Sequence, residues 1–251
     1  MATLPTVFLS LPTGNRQLDY GAALAALCLA TEGKCRVIPA PSMNSLRCHG
    51  FNGAWCEALN RREENGITHF AMLHDDVIPE RFWLDRLMEE LPPGGMVSAV
   101  VAIKSDWGLT STAIDVREGD DLTMPRRLTL KEVHELPETF TAADVGYPGK
   151  ALLVNTGCWL CGLRQPWVEL VHFEEINFIV KQTSTGKFHP VADPEDWNFS
   201  RQLHKLGVPV VATRKIRVNH CGSFLFGNDT VWGTWDTDAV FAKNQAALVE
   251  V

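Results

Sequence analysis

His74, Asp75 and Asp76 stand together in "THFAMLHDDVIPERFW", where an apolar run ends and a proline follows. Two adjacent carboxylates and an imidazole at the end of a buried strand are costly unless positive charge meets them. A hard divalent cation is one such partner. It takes oxygen ligands, and one or two carboxylates suffice when substrate phosphates complete its shell. In extended chain, residues 74 and 76 point to one side and residue 75 to the other. The positive end of a helix beginning near Pro79 is the other partner, with Asp75 or Asp76 as its cap. The tripeptide alone leaves both open.

A second acidic pair, Glu195 and Asp196, opens "PEDWNFSRQLHKLG". A carboxylate there suits general-base work, and equally suits the dipole of a helix N-terminus. His220 ends a strand-like run in "VNHCGS". Taken alone, it fits a packed or surface histidine as well as a ligand. Cys158 and Cys161 form a CxxC pair, but no second pair completes a four-ligand zinc site. They also lie inside an apolar run, whereas a redox dithiol sits at a helix N-terminus.

These residues need elements to position them. "TVFLSL" (Thr6–Leu11) reads as a buried strand, and Leu18–Thr31 reads as an alanine- and leucine-rich helix stopped by Gly33. "CRVIPA" reads as a strand. "NGAWCEALNRREENG" reads as a helix with Asn52 as N-cap and Gly66 as its stop. "THFAML" is the next strand. A helix follows from Pro79, with Leu84, Leu87, Met88 and Leu91 on one face. "GMVSAVVAI" is a strand again. Lys104 to Lys150 is less regular, with one short helix at Leu130–Leu136, and reads as an excursion over the working edge of a sheet. Strand-like pieces flank Asn155-Thr156-Gly157, a helix closed by Gly207 carries Glu195 and Asp196, and a last strand ends at His220. The tail from Phe224 reads as a loop or lid.

Strand and helix in alternation predict an α/β fold: a mostly parallel, Rossmann-like sheet with helices on both faces, in one domain over 1–251. In such sheets ligands bind beyond the carboxyl ends of the strands. Pro12-Thr13-Gly14 and His74-Asp75-Asp76 both fall there.

The chain has 251 residues, 45% of them hydrophobic and 21% charged, with a formal net charge of −7. The length suits one substantial core. The net charge argues against broad electrostatic binding to nucleic acid or anionic membrane, while leaving nucleic acid open as an acceptor. The N-terminus has no positive leader, and the longest helix-like apolar stretch, 21–30, is too short to span a bilayer. Seven cysteines in a chain of this size read as mostly reduced thiols, which places the chain in the cytoplasm.

Six stretches taken in order resemble GT-A-fold glycosyltransferases, close to the large family-2 type: "SLPTGN", "FNGAWCEALN", "LHDDVIPERFWLDRL", "NTGCWLCGL", "EDWNFSRQLHKLG" and "VNHCGS". The resemblance covers about Thr6 to Ser223. It implies transfer of a sugar from a nucleotide-diphosphate sugar to an acceptor hydroxyl on a glycan, lipid, protein or other molecule, assisted by Mn2+ or Mg2+. It divides the domain into a nucleotide-binding half (6–103), an acceptor half (104–223) and a C-terminal loop or lid (224–251). Asp76 matches the metal-binding end of the family's Asp-X-Asp motif, and His220 matches a second ligand. Asp196, with Glu195 beside it, matches the base of an inverting transfer. Pro12, Thr13 and Gly14 would meet the donor's base and ribose, since a proline turn and a glycine let backbone approach a ring. Arg47 would meet the diphosphate or base, unless it is a surface arginine. Asp75 would bond the donor or turn away from it. Asn155, Thr156 and Gly157 would flank sugar and acceptor, and Trp197, Trp232 and Trp235 could stack on sugar faces. The sequence departs from the motif at His74, where the family has aspartate.

Two other classes fit the same residues. A nucleotidyltransferase or metal-dependent phosphoesterase would use the Asp75-Asp76 pair, although "LPTGNRQ" has only one glycine after the first strand. A binding module could also keep the fold without turnover, with His74 as the mark of lost activity.

Overall fold

The apolar run at the start of the chain forms β1 (Thr6–Thr13), all of it buried up to Leu11. In the computed structural model, residues 4–13, 20–116, 125–181 and 186–233 are described. α1 (Tyr20–Leu27) leads to β2 (Arg36–Met43), which pairs parallel with β1. β2 carries Pro39 and Pro41 and is an edge strand, where a missing N–H costs no interior hydrogen bond.

α2 spans Arg47–Arg61, starting five residues before Asn52. Asn52 is therefore no cap. Its side chain lies within the helix and exchanges two hydrogen bonds with the backbone of Phe173, donating to the carbonyl at 2.7 Å and accepting from the N–H at 2.8 Å. Phe51, Ala54, Trp55 and Ala58 form the buried stripe of this helix.

β3 (His69–Leu73) pairs parallel with β1. Pro79 does not open a helix. It ends the short strand β4 (Val77–Pro79), and α3 spans Trp83–Glu90 behind Phe82, which takes a left-handed φ of 62°. β5 (Met96–Ala99) completes the strands that sequence periodicity marks in the first half.

The stretch after Lys104 holds more structure than its sequence suggests. β6 (Leu109–Ile114) and β7 (Arg126–Thr129) pair antiparallel. α4 (Leu130–Glu135) follows, closed at its start by a reciprocal capping box between Thr129 and Glu132. Then come β8 (Thr139–Phe140), β9 (Leu152–Leu153) and β10 (Cys158–Gly162). β11 (Ile176–Lys181) and β12 (Phe188–Asp193) make an antiparallel pair that the sequence reading did not mark. α5 (Glu195–Lys205) ends at Gly207, whose φ of +69° favours glycine. β13 (Val210–Thr213), β14 (Val218–Cys221) and β15 (Leu225–Gly227) finish the described chain.

The central sheet has the order β2-β1-β3-β10-β5-β13-β8. Five of its seven strands run one way, and β10 and β8 oppose them. The fold is thus α/β, with a mostly parallel Rossmann-like sheet in one domain. The two sequence halves interleave, because β10 lies between β3 and β5.

One face of the sheet packs Phe70 and Trp159 against Trp55, Phe173 and Phe199. Phe173 and Phe199 stack at 4.5 Å. The other face packs Leu9, Leu73 and Leu160 against Trp83, Leu84 and Leu87. Cys158 and Cys161 fall on opposite faces, one in each core cluster. Burial pushes both thiols far above the ordinary range, so the pair is core packing. None of the seven cysteines is in a disulfide. Among the described residues, no helix is long and apolar enough to cross a membrane.

Candidate functional site

The carboxyl ends of β1, β2 and β3 open onto a cavity of about 980 Å³. Pro12, Thr13, Arg47, His74, Asp75, Asp76, Asn155, Glu195, Asp196 and His220 all line it. Residues as far apart in sequence as Pro12 and His220 therefore meet in one place. Gly14 and Trp235 lie outside the described residues. Thr156 and Gly157 are buried and do not appear in the cavity wall. A Cβ on Gly157 would stand 2.5 Å from Asn155 Oδ1. That position is therefore fixed by close packing behind Asn155.

His74, Asp75 and Asp76 form a tight turn between β3 and β4. This corrects the extended geometry expected for them. Val77 N donates to His74 O at 3.2 Å, and all three residues line the cavity. The turn is fixed on both sides: His74 N donates to Gly157 O, and Cys221 N donates to Asp76 O at 2.7 Å. The second of these bonds, with the β4–β14 pairing of Val77 and His220, sets Asp76 beside His220.

Asp76 Oδ2 lies 3.4 Å from His220 Nε2 and 2.5 Å from Lys104 Nζ. Burial alone would raise the Asp76 carboxyl, but the hydrogen bonds and charges of His220 and Lys104 outweigh it and hold it well below the usual carboxylate range. Asp76 is therefore an anion at any physiological pH. His220 Nδ1 is 2.8 Å from Ala102 O, so Nδ1 carries the proton. Its Nε2 faces the Asp76 carboxylate, which only accepts, so that contact needs a proton on Nε2; a metal held by both residues would take that proton's place, with the Nδ1–H kept on Ala102 O.

The carboxylate oxygen suits Mn2+ or Mg2+, and the imidazole nitrogen fits the softer Mn2+ better than Mg2+. Among the described residues, no group of three or more His, Cys, Asp or Glu side chains converges for a metal. Among the described residues, Asp76 and His220 are thus the pair on offer, and phosphate oxygens and water would supply the rest.

His74 is not a carboxylate stand-in. Burial pushes its imidazole down to about 4, so the ring is neutral at neutral pH. It sits 5.2 Å from the Phe51 ring, and its Nε2 is buried with no hydrogen bond.

The first turn of α5 brings two acids into the wall, and both are buried. Glu195 Oε2 is 3.6 Å from Arg47 Nη1, and burial raises its carboxyl. Asp196 Oδ1 accepts from Trp197 N at 2.8 Å. Burial, with the neighbouring Glu195 charge adding to it, pushes Asp196 up to about 7. That value matches a base working at neutral pH.

Trp197 and Trp232 are no sugar platforms. Trp197 is 1% exposed, its indole N–H donates to Ser111 O, and the Arg127 guanidinium covers its ring at 4.4 Å. Trp232 donates to Gly227 O and packs on Phe226.

Two cavity cations escaped sequence reasoning. Lys104 closes the apolar run of β5 and its extension, so the rule that ligands meet strand ends could have found it. Arg127 lies on β7 within a stretch read as irregular, and nothing in the local pattern marked it.

No family model and no curated protein matches the chain. Among solved structures, A197 from STIV is similar over 92% of this chain and 95% of its own, with a TM-score of 0.52 and 12% identity. Mannose-1-phosphate geranyltransferase from Thermus thermophilus matches 64% of this chain and 58% of its own, with a TM-score of 0.31 and 12% identity. Apo UDP-glucose pyrophosphorylase matches 96% and 82%, with a TM-score of 0.33 and 9% identity. The last two likenesses carry no argument. The likeness to A197 extends over nearly the whole of both chains and shows a shared fold.

Proposed function

We propose that the chain is a cation-assisted glycosyltransferase, moving a sugar from a nucleotide-diphosphate sugar to an acceptor hydroxyl with inversion. The observation that carries this reading is one cavity that gathers a deep anion beside an imidazole nitrogen, Asp76 and His220, together with a separate carboxyl poised near neutrality, Asp196.

Asp76 and His220 would hold Mn2+ or Mg2+, which when bound neutralises charge growing on the departing diphosphate. Lys104 adds a second positive group at the same carboxylate. Pro12 and Thr13 end β1 at the cavity and would receive the nucleoside. Arg47 remains available to a phosphate because its side chain is mostly exposed. Asp196, ionised above about pH 7, would take the proton of the attacking hydroxyl. Glu195 supports it by holding a like charge close by.

Thermal melting with UDP, GDP, CDP or dTDP, each with and without Mn2+, tests the donor site. One nucleotide should raise the melting point in a metal-dependent manner. No shift with any nucleotide and metal would overturn the reading. Slow hydrolysis of the matching nucleotide-sugar, lost in Asp76→Ala, separates an enzyme from a binding module. Pyrophosphate release from a nucleoside triphosphate would instead mark nucleotidyl transfer.

A further inference from the structure

Arg127 lines the cavity from β7, beside Ser111 and Asp196. Its guanidinium has five N–H donors and a permanent charge. One of those donors is used, from Nη1 to Thr110 O at 3.3 Å. Among the described residues, no carboxylate lies within ion-pair distance. Nearby arginines differ. Arg47 faces Glu195, Arg126 is paired with Glu132, and Arg201 is held by Asp115 and Asp193 at 2.5 Å each. A largely desolvated cation with no carboxylate in contact is costly, and the acid it does feel, Asp196, is one that burial keeps partly protonated at neutral pH; a ligand that supplies the anion removes that cost.

The group is also fixed in direction. Its Cζ lies over the Trp197 ring, 4.4 Å from the centroid, and that indole is locked by its bond to Ser111 O. A planar fork held this way suits the bidentate geometry of a phosphate. The charge that Arg127 feels is that of Asp196, whereas Asp76 interacts with His220 and Lys104. Arg127 is therefore the cation that acts on the base, while Lys104 is the one bonded to Asp76.

We infer that the acceptor carries a phosphate monoester, bound by Arg127 so that a hydroxyl of the same molecule reaches Asp196. This rests on the glycosyl-transfer reading. It adds the chemical class of the acceptor.

Binding of inorganic phosphate and of glycerol 3-phosphate to the full chain tests it, by calorimetry without nucleotide. Wild type should bind both probes. Arg127→Gln should weaken each ~10-fold or more, the scale of a lost charge-assisted pair, and Lys205→Gln, exposed and outside the cavity wall, should leave them unchanged. Equal binding by wild type and Arg127→Gln, or loss in Lys205→Gln alone, overturns the inference. Should Arg127→Gln fail to fold, a crystal of the wild-type chain soaked in glycerol 3-phosphate decides. Phosphate density on the Arg127 guanidinium supports the site, and density elsewhere or none overturns it. The two readings fail separately. Absent nucleotide binding sinks the donor site, whereas intact nucleotide binding with no phosphate at Arg127 sinks only the acceptor class.

Discussion

His220 turns one ring nitrogen toward Ala102 O at 2.8 Å and the other toward Asp76 Oδ2 at 3.4 Å. The first contact takes the Nδ1–H, and the second sets Nε2 against a carboxylate oxygen that can only accept, where a bound metal would stand in place of a proton. A metal coordinated jointly with Asp76 would need this arrangement, and a backbone bond on the far nitrogen holds it.

Replacing His220 with alanine should therefore weaken Mn2+ binding to the nucleotide-loaded protein by ~10-fold or more, the scale on which losses around a metal site fall. Nucleotide binding in chelator should stay unchanged. Isothermal titration with Mn2+ reads both. Unaltered Mn2+ affinity in the variant would remove His220 from the ligand set.

Lys104 competes for the same carboxylate oxygen at 2.5 Å. Its ammonium must leave Asp76 Oδ2, or share it, when a divalent ion arrives. Lys104→Ala should then raise Mn2+ affinity of the nucleotide-free protein several-fold, because two cations at one oxygen repel. The reverse result, weaker Mn2+ binding, would mean that Lys104 orients Asp76 for the metal.

Asp196 gives a pH prediction with a definite sign. Its folded pKa of about 7 lies above the ordinary 3.8, so the native state holds the proton more tightly than the unfolded chain. Its contribution to stability is full below about pH 4 and is lost as pH rises through about 7. Asp196→Asn, which never ionises, should melt higher than wild type at pH 8 by at least ~2 °C, about 1 kcal/mol. It should keep nucleotide binding and lose transfer ~100-fold or more. Wild-type transfer should rise with pH through about 7, a limb absent from the variant.

Much of this site was legible because its residues sit at punctuated strand ends. "THFAML" followed by His-Asp-Asp is an apolar segment closed by polar residues, and the β4–β14 pairing brings His220, on a separate strand after "VVAT", to that end. Boundaries were harder. Asn52 looks like a cap because Asn favours that position, yet its bonds go to Phe173, 121 residues away. Local pattern cannot register such a partner. Pro79 reads as a helix start until the pairing of β4 with β14 places it in a strand. Arg127 stayed invisible because β6 and β7 are short. Their fit to one another, and to Trp197, is wholly tertiary.

The Asn52–Phe173 exchange predicts a stability loss at a site outside the cavity wall. Asn52→Ala leaves a carbonyl and an N–H of Phe173 without these partners, next to the Phe51, Phe173 and Phe199 packing. Unfolding by denaturant should show a loss of about 1–3 kcal/mol. A change under ~0.5 kcal/mol would mean that water replaces both bonds.

His74 supplies the sharpest test of the departure from an acidic motif. The ring is neutral and partly enclosed by Phe51, with Nε2 unbonded, so it gives the cation site no charge. His74→Asp places a third carboxylate beside Asp75 and Asp76. Without metal, the added charge is poorly solvated and near like charges, so the melting point should fall. With Mn2+ and the nucleoside diphosphate, the same charge strengthens cation binding, and the melting point should recover to wild type or above. Calorimetry with and without Mn2+ gives both limbs. A variant destabilised equally in the two conditions would show that position 74 faces the Phe51 packing alone and leaves the cation to Asp76 and His220.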